Sequence, residues 1–274
     1  MSKLLRANLV RVRNDVIFLF SVLAMFAFGV FNTLSLHDDK VRYTQEITPD
    51  KTFSVYIIPV CILCAAFCCV FCGEEYSRGT VRNKIAVGHS RSAVYFAQFL
   101  TCFIAGAAMC LAYIIPSTIL GLIVLGSYQR SVTELLAYLV CGFLLVMSCV
   151  SFYCLIMTLI PKQGAGTAVT MIIILVVINW AILVKQTLNL PEFTYRYLPE
   201  TNTVSEEMLP NPRYPTGAYR TFLENLYDFL PAGQAWQIAN MLSETLLRLM
   251  FFSSVLTVLS MLAGIMIFRK KDLK

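Results

Sequence analysis

GEEYSRGTVRNKIAVGHSR, residues 73–91, lies between two long uncharged apolar runs. Glu74, Glu75, Arg78, Arg82, Lys84 and Arg91 share this stretch with Gly79 and Gly88. Gly73 is placed to end the run before it, because a residue without a Cβ enters the left-handed region freely. Thr80 suits a helix N-cap and Gly88 the position just past a helix end. Together they bracket a helix of about two turns over 81–87. Val81 and Ile85 fall on one side of it, with Arg82 and Lys84 flanking. Ser90 or Ser92 can cap the run that follows. A short helix held at both ends by rigid spans transmits force well. The competing reading is a solvated loop against anionic headgroups. Arg78, Arg82, Lys84 and Arg91 suit that loop, whereas Glu74, Glu75 and the caps do not.

Outward from this segment the chain is built for lipid. Only 14% of its 274 residues are charged and 58% are apolar. Soluble domains carry about 25% charged residues, so a water-facing surface cannot easily be made here. The net charge of +6 is divided among short segments between apolar runs, which argues against nucleic acid.

A span of about 30 Å of hydrocarbon takes about 20 helical residues. Runs free of Asp, Glu, Lys and Arg that meet this are 16–36, 53–72, 93–126, 136–160, 165–184 and 249–268. The run 16–36 is too long for a signal-peptide core and no small-x-small site follows it, so it reads as a retained first span. The run 93–126 is long for one span and short for two. Counted as one, it leaves residues 1–15, 73–92, 161–164 and 269–274 on the cytoplasmic side, with 13 of the 22 Lys and Arg residues. Counted as two, it would put the tail RKKDLK outside, against the positive-inside rule. The expectation is an all-α membrane protein of six spans with both termini cytoplasmic. The third span would be tilted or kinked near Pro116 and would project beyond the bilayer.

Residues 3–15 keep helical period. Leu5, Leu9, Val12 and Val16 share a face and Arg6, Arg11 and Arg13 point away, which suits an interfacial helix. Residues 185–245 form the sizeable outer segment. Pro191, Pro199, Pro210, Pro212 and Pro215 imply that 190–216 is mostly irregular. A helix is expected over 217–230, with Tyr219, Phe222, Leu226 and Phe229 as its stripe, ending before Pro231. A second amphipathic piece over 233–243 carries Trp236 and Ile238.

Several chemistries lack their residues. No GxxxxGK[ST] phosphate loop is present. The only histidines, His37 and His89, lie in expected loops and no HExxH occurs, so a metalloprotease site has no ligands. No carboxylate falls in mid-membrane, where ion-coupled carriers usually keep one. An energy-driven function then needs a partner to supply the energy. All ten cysteines fall inside apolar runs, so no disulfide framework holds the outer segment. The cluster Cys61, Cys64, Cys68, Cys69 and Cys72 could hold a soft metal. It has no visible polar support, and small residues at this spacing allow close helix approach in lipid. Packing is the preferred reading.

The segment 73–91 resembles the cytoplasmic stretch between the second and third spans of ABC-2-type exporter permeases. It has their acidic pair, Gly79-Thr80, the basic residues Arg82 and Lys84, and Gly88-x-Ser90-Arg91. The amphipathic N-terminus, six spans, DFLPAGQAWQI (228–238) and the basic tail FRKKDLK (268–274) are similar too, most of all to small permeases of peptide-antibiotic export and immunity. The resemblance implies one ABC-2 permease domain over 1–274, with the type V exporter-like fold and 73–92 as its coupling segment. Glu74, Glu75, Arg78, Thr80, Arg82, Asn83 and Lys84 would contact a cytoplasmic ATPase. It further implies two ATPase subunits, which would bind ATP and Mg, and a second permease chain, identical or paralogous. The chain itself would hold no cofactor. Its cargo would be a peptide, an antibiotic or another amphiphile. On the substrate path, Asn179, Trp180, Ser148 and Ser151 are the candidates, each with a helix-packing alternative. A passive channel or scaffold subunit, and an intramembrane enzyme, are the rival readings.

Overall fold

The computed structural model describes residues 2–43, 46–198, 203–242 and 246–271. Helix α1 (Ser2–Arg13) lies against the bundle at the end where the chain begins. Among the described residues six helices are long and apolar enough to cross a membrane: α2 (Val16–Tyr43), α4 (Ile57–Ser77), α6 (Arg91–Val124), α7 (Val132–Leu159), α8 (Gln163–Leu188) and α11 (Leu246–Lys270). The short α3 (Asp50–Phe53) precedes α4, and α5 (Thr80–Ala86) joins α4 to α6. Six crossings return the chain to the side it started from. The basic segments put that side in the cytoplasm.

α4 and α7 form the middle of the bundle, whereas α2 and α8 are largely uncovered flanks. Composition explains the centre. Cys64, Ala65, Cys68, Cys69 and Cys72 give α4 small side chains, all at 0–1% exposure. Small residues let backbones approach where lipid offers no hydrophobic drive. α11 packs along α7, and α2 along α6. Polar side chains join these pairs: Ser260 Oγ donates to Ser151 Oγ at 2.7 Å, and Thr33 Oγ1 to Ser117 Oγ at 3.2 Å.

The third span is one unbroken helix of 34 residues with Pro116 inside it. At 1.5 Å per residue it is about 51 Å long, well beyond the hydrocarbon thickness. α2 also continues past its apolar run, so His37 is helical rather than in a loop. The two extensions travel together, and Lys40 Nζ donates to the carbonyl of Leu125 at 2.7 Å, near the end of α6.

The outer segment differs from expectation in two ways. Residues 190–216 are not irregular throughout: β1 (Phe193–Leu198) and β2 (Thr203–Pro210) pair antiparallel. Pro191 and Pro210 sit at the margins of this ribbon, where a missing N–H costs no ladder bond. FTYRYL is rich in aromatic residues, and β2 opens on the β-branched pair Thr203-Val204. Pro199, between the strands, lies outside the described residues. The helix α9 (Gly217–Phe229) forms as expected, but its buried side chains are Leu223 and Tyr227, while Tyr219 and Phe222 are exposed. α10 (Pro231–Ala239) begins at a proline, where the absent N–H is unneeded. It buries Gln234 and Ile238 completely, which places it inside the bundle rather than over it.

At the cytoplasmic end the tail of α11 is tied down. Arg91 donates to the carbonyls of Arg269 at 2.9 Å and Lys271 at 2.6 Å, and Lys271 Nζ donates to the carbonyl of Thr158. These cations satisfy helix-end carbonyls that have no partner in their own helix. Residues 272–274 of the basic tail lie outside the described residues.

Candidate functional site

The helix α4 does not stop at Gly73. It runs one turn further, to Ser77, with Arg78 as C-cap and Gly79 left-handed at φ 66°. Gly73 is small for another reason: a Cβ there would stand 2.9 Å from Cβ of Gln163, at the start of α8. The Gly79 N–H bonds the carbonyl of Tyr76 at 3.2 Å. Thr80 is the first residue of α5 rather than its N-cap, and its Oγ1 donates to the carbonyl of Glu75 at 3.0 Å. The far end of α5 closes as expected. Gly88 has φ 97°, its N–H bonds Ile85, and the His89 N–H bonds Lys84. These two bonds are a Schellman closure. Ser90 then caps α6 by accepting from Ala93 N–H.

Glu75 is the centre of this end of the molecule. It is fully buried, and its Oε1 accepts from Arg11 and Lys84, each at 2.6 Å. Lys84 Nζ also donates to Oδ1 of the buried Asn8 at 2.9 Å. One carboxylate thus joins α1, α4 and α5. The guanidinium of Arg11, 4.4 Å from the Phe71 ring centroid, adds a cation–π contact. Arg11 therefore does not point away from the buried face of α1. That face is Leu4, Asn8 and Val12, and the carboxylate draws the arginine in. Val81 completes the back of α5 at 2% exposure.

The candidate coupling residues divide accordingly. Glu75, Lys84 and Thr80 are engaged inward. Glu74 is half-buried and pairs with Arg78 at 3.3 Å and Arg11 at 3.7 Å. Arg78, Arg82 and Asn83 are exposed. Val87 joins them at 81% exposure. Val87 was missed in the sequence, although an apolar residue at a capped helix end, beyond the Val81–Ile85 side, is a signal that could have found it.

The path candidates also separate. Ser148 lines a cavity between α8 and the bundle. Ser151 is fully buried and bonds α11 through Ser260 and the carbonyl of Thr257. Asn179 donates to the carbonyl of Leu175 in its own helix at 2.8 Å, and with Trp180 it lies in a shallow groove on the outer face of α8.

Among the described residues the cysteines that converge take only Cys72 from the sequence cluster. Sγ atoms of Cys72, Cys102 and Cys154, from three helices, lie within 4.8 Å of one another. A metal there would require thiolates, adding buried negative charge to the end that already holds Glu75. Packing accounts for the cluster without that cost. At the outer end a neutral network holds α10, with an ion pair beside it. Ser253 Oγ donates to Gln234 Oε1 at 2.6 Å and Gln234 Nε2 to the Asp228 carbonyl at 2.8 Å. Asp228 itself pairs with Arg248 at 3.0 Å.

A charged, capped helix held beneath a six-span apolar bundle is the arrangement expected of a transport subunit. The model of the ABC-2 family transporter proteins matches residues 1–179. The chain belongs to the ABC-2 transporter family. It is a multi-pass permease of the cell membrane, and the matched residues include α1, the segment 73–91 and the spans through most of α8. No curated protein and no solved structure matches the chain.

Proposed function

We propose that this permease is the membrane half of an ATP-driven exporter. Its engine is a separate ATPase that grips the exposed side of α5. Two ATPase subunits and a second permease chain complete the assembly, ATP and Mg are bound by the ATPases, and the cargo is a peptide, antibiotic or other amphiphile. The observation that carries this reading is the division of α5 into two sides. Its back is fixed to α4 and α1 by Glu75, Lys84 and Val81, while Arg82, Asn83 and Val87 are presented to the cytoplasm. A push on that face cannot be absorbed by α5 alone. It passes through Glu75 to α4, one of the two central helices, and moves it as a rigid body. Glu75 is on this view a positioning residue, with Arg78, Arg82, Asn83 and Val87 as the contacts.

The experiment is purification from native membranes of the wild-type chain and of an Arg82→Glu, Val87→Asp variant. Stoichiometric recovery of an ATP-binding subunit with the wild type, lost in the variant at unchanged thermal midpoint, is the expected result. Recovery of the chain without any ATP-binding subunit, or equal recovery with both forms, overturns the docking role.

A further inference from the structure

Between α8 and the helices α4, α7 and α11 lies a cavity of about 890 Å³, bounded at its outer end by residues of α9 and α10. This is within the range of about 300–1,000 Å³ typical of small-molecule sites. Its walls are apolar, with Ile58, Phe152, Ile174 and Val177 among them. Among the described lining residues the single charge is Lys185, one turn from the outer end of α8, with Gln186 and Asn189 beside it. Lys185 Nζ lies 5.5 Å from the Tyr227 ring centroid and forms no ion pair among the described residues. The neighbouring acid, Asp228, is already matched by Arg248 at 3.0 Å and by Gln237 at 2.8 Å. Burial, with that carboxylate nearby, raises the Tyr227 phenol to about 12, so it stays neutral. The chamber is therefore apolar, with one cation unpaired among the described residues near its outer end.

We propose that this cavity binds one anionic amphiphile, its acyl chain along Val177 and Phe152 and its acidic head at Lys185. A zwitterionic lipid would bring its own cation against the lysine and gain less. The site does not depend on the transport reading, since occupancy is measurable without an ATPase.

The chain offers its own reporters. Of its two tryptophans, Trp236 lines the cavity and Trp180 sits on the opposite, outer face of α8. The full chain carrying Trp180→Phe is reconstituted in phosphatidylcholine vesicles containing a small fraction of bromine-labelled phosphatidylglycerol or, separately, bromine-labelled phosphatidylcholine. Trp236 fluorescence should be quenched several-fold more by the anionic lipid. Lys185→Gln should remove that preference and Lys185→Arg should keep it. Val177→Phe, which narrows the chamber along the acyl path, should weaken quenching by both lipids. The reciprocal Trp236→Phe chain, reporting from Trp180, should show no headgroup preference. Equal quenching of Trp236 by the two lipids, or the same preference at Trp180, would mean that ordinary bilayer lipid fills the space and would overturn the proposal. Should Lys185→Gln fail to fold, the headgroup comparison in the parent chain and the Val177→Phe result decide the matter by themselves.

Discussion

At the cytoplasmic end a buried carboxylate, Glu75, gathers cations from two other helices. At the outer end a buried amide, Gln234, links α10 to a hydroxyl of α11 and a carbonyl of α9. Both residues are fully buried, yet the partners differ in kind. α1 and α5 are short and sit at the rim, where little apolar area can hold them. Charge-assisted hydrogen bonds, roughly twice as strong as neutral ones, fasten them instead. α10 lies within the bundle and keeps Ile238 in the core, so neutral hydrogen bonds need only satisfy its polar atoms. The cytoplasmic end is fastened at its rim by buried charge, whereas α10 at the outer end is held by packing and neutral hydrogen bonds.

That contrast sets an order of expected effects. Glu75→Ala leaves Arg11 and Lys84 without their common partner and should cost about 3 kcal/mol, the lower end for breaking a buried pair, because Arg11 keeps 36% exposure. Glu75→Gln, which keeps the shape, should recover part of the loss. Denaturation of the detergent-solubilised chain measures both. Gln234→Leu should cost about 2 kcal/mol, since it strands the Ser253 hydroxyl and the Asp228 carbonyl in an apolar setting. If it proved as damaging as Glu75→Ala, the distinction between the ends would fail. Gly73→Ala forces α4 and α8 apart at Gln163 and should cost about 1–3 kcal/mol by overpacking. The loss should be recovered in part when Gln163 is shortened to Ala. Gly88→Ala puts a Cβ on a left-handed residue with open space around it and should cost about 1 kcal/mol, from backbone strain alone. Arg82→Ala, on the exposed side of α5, should change stability by less than about 0.5 kcal/mol while reducing recovery of the ATP-binding subunit. It thus separates the fastening side of α5 from the side proposed to dock most sharply.

The spans were legible because an uncharged run long enough to cross lipid is a one-dimensional signal. The 93–126 run resolved as one helix by the same arithmetic once the basic tail fixed the parity. The closing of α5 at Gly88 was also legible, because a cap is decided by neighbours in the chain. Gly73 was misread for the complementary reason: its smallness answers to Gln163 on α8, which no local pattern records. The ribbon β1–β2 is hidden from a proline count, because Pro191 and Pro210 fall at its margins, where proline is tolerated. The stripe assigned to α9 has helical period, but which stripe is buried depends on where α8 stands, and Leu223 and Tyr227 meet it rather than Phe222.

Six apolar crossings with a charged, capped helix after the second follow from the chain alone, because length, charge and caps act over a few turns of chain. Tertiary structure alone decided that Glu75 is inside and Arg82 outside, that Arg11 reaches across 64 positions to a carboxylate, and that a cavity opens beneath Lys185. Those outcomes depend on how separate helices meet. A carboxylate's partners are chosen by whichever cations the packed backbones bring within hydrogen-bond reach.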